Sequence, residues 1–201
     1  MFDAYPNAVA AVNAGAFFDD GTASAAVGSY PLGLTVSGGE IVWSQAQGIS
    51  PGLEGFAGFN SDNVLVVADH NLTPEEAKEL DIQDGCGIGP ALIIDREVLP
   101  AAEYNSGYNP RTAIGQREDG TVILLCINGR VFNSLGATYA DVVNEMMKLG
   151  AENACLMQGG SATGMMYRPA DSSKEPQLVS TLQVGQTQPR RLPTYWMVGP
   201  A

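Results

Sequence analysis

The sequence predicts an α+β fold, in which a single domain over residues 1–201 has a mixed, largely antiparallel central sheet and a few flanking helices. Three observations support this prediction. The apolar runs are short and scattered, which is typical of strands covered on both faces. Two segments begin with strong helix-capping signals. The 24 glycines and 12 prolines favour many turns over a helical bundle.

Five apolar runs are predicted to be strands, and a strand-like segment at residues 8–12 precedes them. The run at 121–127, the helix after it and the run at 153–157 can make one crossover unit. The polar segment 171–189 is predicted to be a loop or hairpin before the last strand. The predicted strands are residues 63–68, 91–94, 121–127, 153–157 and 195–198.

A short helix is predicted after Thr73, which suits the N-cap position. Pro74 fits the first helical position, and Glu76 completes a capping box with Thr73. We expect Ala77 and Leu80 to face inward.

A second helix is predicted from Thr138 to Leu149. Thr138 is the expected N-cap, Asp141 completes its capping box, and Gly150 suits the position just after the helix. The expected apolar stripe consists of Val142, Val143, Met146, Met147 and Leu149.

The charge balance excludes nucleic acids as partners. The formal net charge is −12 with only ten lysines and arginines, whereas a nucleic-acid binder normally has a basic face. A local arginine cluster can still bind an anionic small molecule. We expect no membrane span, because no apolar stretch is long enough, and we expect no signal peptide in these residues.

The three cysteines are predicted to be buried free thiols. Cys86, Cys126 and Cys155 form no CxxC pair, and an odd number excludes a full disulfide framework. Cys126 and Cys155 lie within apolar runs, where a thiol packs as a small hydrophobic group.

No cofactor is predicted, and no ligand spacing suits a tightly bound zinc. A calcium or magnesium site built from Asp62, Asp69 or Asp19 with backbone carbonyls stays open. His70 is the only histidine, and without a recognisable partner it is predicted to be a surface or capping residue.

Four segments beside apolar strands are unusually dense in Gly, Asn, Arg and Ser: residues 13–19, 109–115, 127–130 and 158–164. The last contains a Gly-Gly-Ser-x-Thr turn, whose N–H groups and hydroxyls can hold an anion or a sugar hydroxyl. An ordinary glycine turn is the alternative, and the sequence does not decide between them.

Arg111 and Arg130 stand out because arginines are few and each lies next to a strand. A guanidinium offers forked donors that match a phosphate. The alternative is a salt bridge that ties strand ends. Asn13 and Asn109 can likewise be turn residues.

Together these segments resemble the phosphodiester glycosidase family, in the correct order from Asn13 to Val198. The most specific match is Asn-Pro-Arg-Thr-Ala-x-Gly, which is complete at residues 109–115. The other matches or close variants are Asn-Gly-x-Phe-Phe at 13–18, Gly-Pro-x-Leu at 89–92, Asp-Gly-Arg at 128–130, Asn-Ala-x-x-Leu-Asp-Gly-Gly-Ser-Ser-Thr at 153–163 and Arg-x-Val-Pro at 190–193.

The resemblance implies hydrolysis of a sugar-1-phosphate diester, such as an N-acetylglucosamine-1-phosphate-linked glycan or cell-surface polymer. Such an enzyme needs a phosphate clamp, a stabiliser of an oxocarbenium-like sugar and a group that activates water. The resemblance also implies a secreted or cell-envelope location. Family members usually carry further strands before the first motif, so we expect that N-terminal strands of the family are missing from residues 1–201.

The resemblance also implies roles for single residues. We expect Arg111 and Arg130 to hold the phosphate, Gln158 to occupy the position of the family's acid, and Asp19 to supply a base. Asp141 also lies near a motif but fits a helix cap better. The expected contacts to sugar and phosphate are Asn13, Asn109, Thr112, Gly159, Gly160, Ser161, Thr163 and Arg190.

Gln158 departs from the family pattern, which has Asp before the Gly-Gly pair. An amide cannot take up a proton or carry the negative charge of a nucleophile or base. Three interpretations follow: a hydrolase that is weakened if this Asp is essential, a non-catalytic carbohydrate-binding domain that keeps the pocket, or a domain whose motifs serve folding only.

Overall fold

The computed structural model describes residues 2, 5–18, 30–45, 54–87, 89–104, 106–169 and 175–199. Most regular structure in these residues is β-sheet, in two five-stranded sheets, one four-stranded sheet and a two-stranded ribbon. The strands in chain order are β1 Ala10–Asn13, β2 Phe17–Phe18, β3 Tyr30–Pro31, β4 Gly33–Ser37, β5 Glu40–Gln45, β6 Phe56–Asn60, β7 Leu65–Ala68, β8 Ile82–Gly87, β9 Ala91–Ile94, β10 Glu97–Val98, β11 Arg111–Arg117, β12 Val122–Ile127, β13 Ala151–Leu156, β14 Met165–Tyr167, β15 Gln177–Leu178 and β16 Tyr195–Val198.

Both predicted helices form, and both begin with the predicted capping box. Thr73 pairs with Glu76 at the first, and Thr138 pairs with Asp141 at the second. Gly150 follows the second helix with a φ of 82°, as expected for the residue after a C-cap. Neither helix, within the described residues, has the length and hydropathy of a membrane crossing. The helical segments are α1 Pro74–Glu79 and α2 Tyr139–Lys148, with 3-10 turns at Pro100–Glu103 and Gly160–Ala162.

The predicted sheet-rich, largely antiparallel character is confirmed, but two details are corrected. Separate sheets replace the single central sheet, and every strand pair among the described residues is antiparallel. The predicted crossover from β12 through α2 to β13 exists, and these two strands run parallel. However, β11 lies between them and pairs antiparallel with both, so no parallel ladder forms.

The sheet ordered β10-β9-β13-β11-β12, called the site sheet below, is covered on both faces. On one face, Val142 and Met146 of α2 pack in a cluster with Leu156. On the other face, Cys155 packs with Trp196 of the four-stranded sheet, which has the order β15-β14-β1-β16. Adjacent residues of β13 thus serve opposite cores, because side chains alternate along a strand.

Three residues expected to face inward are exposed: Leu80, Met147 and Leu149 are 41%, 44% and 43% accessible. Leu80 and Leu149 are C-cap residues, beyond the turns that touch the sheet. Met147 turns about 100° away from the buried Met146 on the helix surface. The buried stripe of α2 is therefore narrower than the sequence predicts.

We expect Met146→Ala to lower the free energy of unfolding by about 2–4 kcal/mol, because it opens a cavity where the side chain is fully buried. Met147→Ala is the matched control and should cost less than about 0.5 kcal/mol. Chemical denaturation followed by circular dichroism measures both values. Equal losses would contradict the packing of α2.

The capping box of α2 should make a pH-dependent contribution to stability. Hydrogen bonds from the backbone N–H and hydroxyl of Thr138, at 2.8 and 2.7 Å, lower the pKa of Asp141 below its usual 3.8. A lowered native pKa gives stability that is present above the unfolded pKa and lost as the pH falls through the native pKa.

We therefore expect Asp141→Ala to destabilise the fold at pH 7 and to lose this effect in acid. Thr138→Ala should cost about 1 kcal/mol at neutral pH, since it removes the N-cap. Denaturation curves at a series of pH values test this; a cost of Asp141→Ala that stays constant into acid would contradict the assignment.

Candidate active site

The polar motifs meet at one end of the site sheet. β11 begins there with Arg111, which lies opposite Ile127 at the end of β12. β13 also ends there, at Leu156, because antiparallel neighbours bring the start of one strand beside the end of the next. The three motifs that adjoin these strand ends are therefore side by side.

Two glycines let the backbones of these motifs approach closely. A methyl group on Gly159 would lie 2.7 Å from the carbonyl oxygen of Pro110, and one on Gly136 would lie 2.3 Å from the backbone of Asn109. Gly136 also has a φ of 110°. The N–H of Gly160 donates to the Pro110 carbonyl at 2.9 Å, so this amide, expected to hold an anion, is already engaged.

Asn13 joins the four-stranded sheet to the site sheet. Its Oδ1 accepts from the hydroxyl of Thr112 at 2.7 Å and from the N–H of Gly164 at 3.0 Å. Its Nδ2 donates to the carbonyl oxygen of Gln158 at 2.6 Å. Asn13 is 3% exposed and Thr112 is fully buried. Both side chains thus hold segments of the protein together, and their expected role as substrate contacts stays a prediction.

Arg111 is buried, with 7% of its surface exposed. Its Nε donates to the carbonyl oxygen of Ala137 at 2.9 Å, and Nη2 donates to Ser106 Oγ at 2.6 Å and to the Gly107 carbonyl oxygen at 2.9 Å. The guanidinium carbon lies 4.6 Å from the ring centroid of Tyr139. All of these partners are neutral, so no residue in the described part of the chain compensates the positive charge of Arg111.

Arg130 lies beside Arg111 and is also held by neutral groups. Its Nη2 donates to Asn109 Oδ1, and its Nη1 donates to Gln183 Oε1 at 3.2 Å. Burial lowers the pKa of Arg111, and the charge of Arg130 lowers it further, while Tyr139 opposes the shift. Within the described residues, neither arginine is paired with a carboxylate. Two neighbouring cations that pair with no described carboxylate can attract an anion.

Gln158 lies two positions beyond the end of β13, and its side chain is available to contact a ligand. The preceding Met157 is 4% exposed, and its sulfur accepts from Trp196 Nε1 at 3.2 Å in the core. Gln158 is half-buried. Its carbonyl oxygen and N–H are used by Asn13 and Ala14, while its side-chain amide bonds to no other described residue.

The remaining predicted contacts lie in the same region. Arg190 Nη1 donates to Ser161 Oγ at 3.3 Å, and its guanidinium carbon lies 4.8 Å from the ring centroid of Phe17. Thr163 is 8% exposed, and its buried hydroxyl has no hydrogen-bond partner among the described residues. Ser161 and Arg190 thus approach one another from two segments of the chain.

The structure places no motif carboxylate at these strand ends in the described ranges. Asp19 lies outside the described residues, and Asp141 caps α2. Among described residues, no group of three potential metal ligands occurs. Asp69 Oδ1 instead lies 3.0 Å from Nδ1 of His70, whose pKa this hydrogen bond raises. His70 also approaches Glu76 at the start of α1, as a capping-region residue would.

A cavity of about 490 Å³ lies beside the 3-10 turn Pro100–Glu103 and was not predicted. Tyr104 lines it, and its ring is tilted by 32° to that of Tyr139 with centroids 6.0 Å apart; Tyr139 in turn contacts Arg111. Five of the eight described lining residues come from the segment 99–104, and the others are at 54, 69 and 91. Its described lining consists of Glu54, Asp69, Ala91, Leu99, Pro100, Ala101, Glu103 and Tyr104.

The three cysteines are free, as predicted, although Cys126 is only partly buried. Burial raises the pKa of Cys86 to about 12 and that of Cys126 to about 11, and it raises the pKa of Cys155 well above 9.0. The thiols stay protonated at neutral pH, so none is an activated nucleophile.

Solved structures with the same fold include three from different organisms. The zebrafish N-acetylglucosamine-1-phosphodiester alpha-N-acetylglucosaminidase catalytic domain, auto-inhibited by its pro-peptide, aligns with a TM-score of 0.72 and 19% identity over 97% of this chain and 64% of that chain. A hypothetical protein from Synechocystis gives 0.62 and 15% over 89% and 50%. A Burkholderia pseudomallei K96243 protein described as exported gives 0.63 and 15% over 98% and 66%.

Sequence comparison gives a short curated match and a long family match. A 55-residue stretch is 40% identical to the SPbeta prophage-derived uncharacterized protein YomE of Bacillus subtilis (strain 168), covering 27% of this chain and 8% of that protein. The phosphodiester glycosidase family model matches residues 6–199. This match confirms the resemblance carried by the ordered motifs, and the chain belongs to the phosphodiester glycosidase family.

Proposed function

We propose that this chain hydrolyses a sugar-1-phosphate diester whose phosphate lies between Arg111 and Arg130. The observation that supports this function is a buried guanidinium whose partners, as far as the structure describes the chain, are all neutral, with a second guanidinium beside it. A buried charge without a counter-ion is costly, and a phosphodiester supplies the missing negative charge with oxygens that match the forked donors. The name of the zebrafish relative describes the same class of bond.

In this reaction the bond between the anomeric carbon and the phosphate oxygen breaks, and water adds to the sugar. The departing phosphate monoester gains negative charge, which Arg111 and Arg130 stabilise most in the transition state. The phosphate is a weakly basic leaving group, so less general-acid catalysis is needed than for an ordinary glycoside.

The sugar is proposed to occupy the cavity beside Tyr104. Its walls combine an aromatic ring with carboxylates, including Glu54 and Glu103, and carboxylates accept hydrogen bonds from sugar hydroxyls. Their negative charge also favours an oxocarbenium-like sugar over the neutral ground state. In the transition state the sugar gains positive charge and the departing phosphate gains negative charge. The acidic wall of the cavity matches the first, and the arginines at the strand ends match the second.

Gln158 is proposed to orient water or a sugar hydroxyl through its side-chain amide. It cannot accept the proton of the attacking water, so we propose that turnover is slow. The alternative function, a non-catalytic carbohydrate-binding domain, is favoured by the same substitution. The location is proposed to be extracytoplasmic, in line with the Burkholderia relative described as exported.

We expect Gln158→Asp to raise kcat for a methyl diester of N-acetylglucosamine-1-phosphate by about 10- to 100-fold, because it restores a group that can take up a proton. Gln158→Asn is the matched control and should give no increase. Released N-acetylglucosamine is measured by chromatography. Binding without turnover in all three proteins would contradict the hydrolase and support the carbohydrate-binding alternative.

We expect Arg130→Met to weaken binding of N-acetylglucosamine-1-phosphate by about tenfold or more, since it removes a charged donor to the phosphate. Arg96→Met is the control. Arg96 is an exposed arginine paired with Glu118, and its backbone N–H donates to the carbonyl oxygen of Glu152 near the opposite end of the site sheet. Isothermal titration calorimetry measures both affinities. Similar losses in the two variants would indicate a general charge effect and contradict the clamp.

A further inference from the structure

A tight turn after β12 holds an aromatic ring in solvent. The N–H groups of Val131 and Ser134 donate to each other's carbonyl oxygens at 3.0 and 3.1 Å, which places Phe132 and Asn133 at the tip of the turn. The Ser134 hydroxyl also donates to the carbonyl oxygen of Asn128 at 2.6 Å, so the turn is braced against the end of β12. Phe132 has a relative accessibility of 106%, so its ring projects into solvent without support from the described residues.

Two further exposed apolar residues adjoin this turn through the backbone of Arg130. The N–H of Arg130 donates to the carbonyl oxygen of Leu135 at 3.3 Å, and its carbonyl oxygen accepts from the N–H of Val184 at 3.0 Å. Leu135 and Val184 are 73% and 79% exposed. With Phe132, they are the three most exposed large apolar residues of the described chain, and together we call them the apolar tip. Exposed apolar groups gathered at one place indicate a binding surface.

The apolar tip lies beside arginines at the same end of the site sheet. A methyl group on Gly160 would lie 3.6 Å from Arg130 Nη1, and the next residue, Ser161, accepts from Arg190 Nη1 at 3.3 Å. Arg191 follows directly and is exposed. Although the net charge of the chain is −12, the segments that meet here contain four arginines and neither Asp nor Glu: residues 106–113, 127–140, 158–164 and 181–193. These segments therefore give this end of the molecule a local positive charge.

We propose that the apolar tip docks this chain on an anionic lipid bilayer, with Phe132, Leu135 and Val184 in the interface and the arginines against the lipid phosphates. Binding of this kind increases with the apolar area that is buried and with the attraction of basic side chains to anionic lipids. Both contributions come from the same end of the site sheet here. The docking does not depend on the proposed hydrolysis, and it is tested without a sugar substrate.

The shape of the apolar tip favours a bilayer over a folded protein partner. A stable protein interface uses about 20–30 residues on each side, whereas the tip offers three projecting side chains. A fluid interface closes around single side chains and needs no preformed complementary surface. Phe132 can enter it while the N–H and carbonyl groups of Val131 and Ser134 stay bonded to each other, so these backbone groups need no water.

Co-sedimentation of the full chain with vesicles tests the docking. We expect binding to vesicles of mixed phosphatidylglycerol and phosphatidylcholine, and weaker binding to phosphatidylcholine alone. Phe132→Ser should lower the affinity about tenfold or more, because it removes the largest apolar group, and Arg191→Gln should lower it about fivefold. Tyr5→Ser and Arg96→Gln are the matched controls and should change little. Tyr5 is 59% exposed but precedes β1 at the end away from the site, and Arg96 lies near the opposite end of the site sheet.

A fluorescence measurement determines whether the ring enters the bilayer. In Phe132→Trp, brominated lipids should quench the emission more strongly than in the wild type, whose two tryptophans, Trp43 and Trp196, lie away from the apolar tip. Quenching equal to that of the wild type would show that position 132 stays outside the bilayer and would overturn the proposal. Thermal unfolding of every variant should match the wild type, because the substituted side chains are exposed.

The remaining outcomes are equally decisive. Absence of wild-type binding to the anionic vesicles would overturn the docking, whatever the hydrolysis assays show. Equal losses in Phe132→Ser and Tyr5→Ser would also overturn it. Binding that is unchanged in Phe132→Ser and lost in high salt would indicate adsorption by charge alone and contradict the role of the tip. Self-association that Phe132→Ser abolishes, without vesicle binding, would make the tip a contact between copies of this chain and overturn the bilayer assignment.

Discussion

The buried side chain of Asn13 holds together the parts from which the candidate site is built. Its oxygen accepts from Thr112 on β11 and from the Gly164 N–H, and its nitrogen donates to the carbonyl oxygen of Gln158. These bonds connect the four-stranded sheet, an inner strand of the site sheet and the glycine-rich turn. Since Asn13 and Thr112 are buried, breaking the bond between them would leave a polar group unsatisfied, which fixes the spacing of their two strands.

Arg111 is a second buried polar residue of β11 on which the candidate site depends. The fold buries a guanidinium against Tyr139 and satisfies its donors with neutral oxygens, and no described carboxylate pairs with it. A carboxylate there would stabilise the free protein, but it would also cancel the charge. In the proposed function, an anion bound beside Arg111 and the neighbouring Arg130 supplies the missing negative charge.

Gln158 stands where the family pattern has Asp, with an amide in place of the carboxylate. Because side chains alternate along β13, Met157 fills the core and Gln158 stands at the strand end with its amide unpaired among the described residues. The position thus keeps a polar group, and an amide cannot take up a proton. In the proposed function, this one side chain separates substrate binding from proton transfer.

The sequence by itself determined features that depend on neighbouring residues: the capping boxes at Thr73 and Thr138, the uninterrupted apolar strands, and the family through the order of its motifs. Local hydrogen bonds and apolar periodicity are sufficient for these. Only the tertiary structure decided that β11 is an inner strand of the site sheet, because its buried polar side chains break the apolar pattern and find partners far away. The Asn13–Thr112 bond spans 99 positions and the Asn13–Gln158 bond spans 145. No local pattern could place such partners.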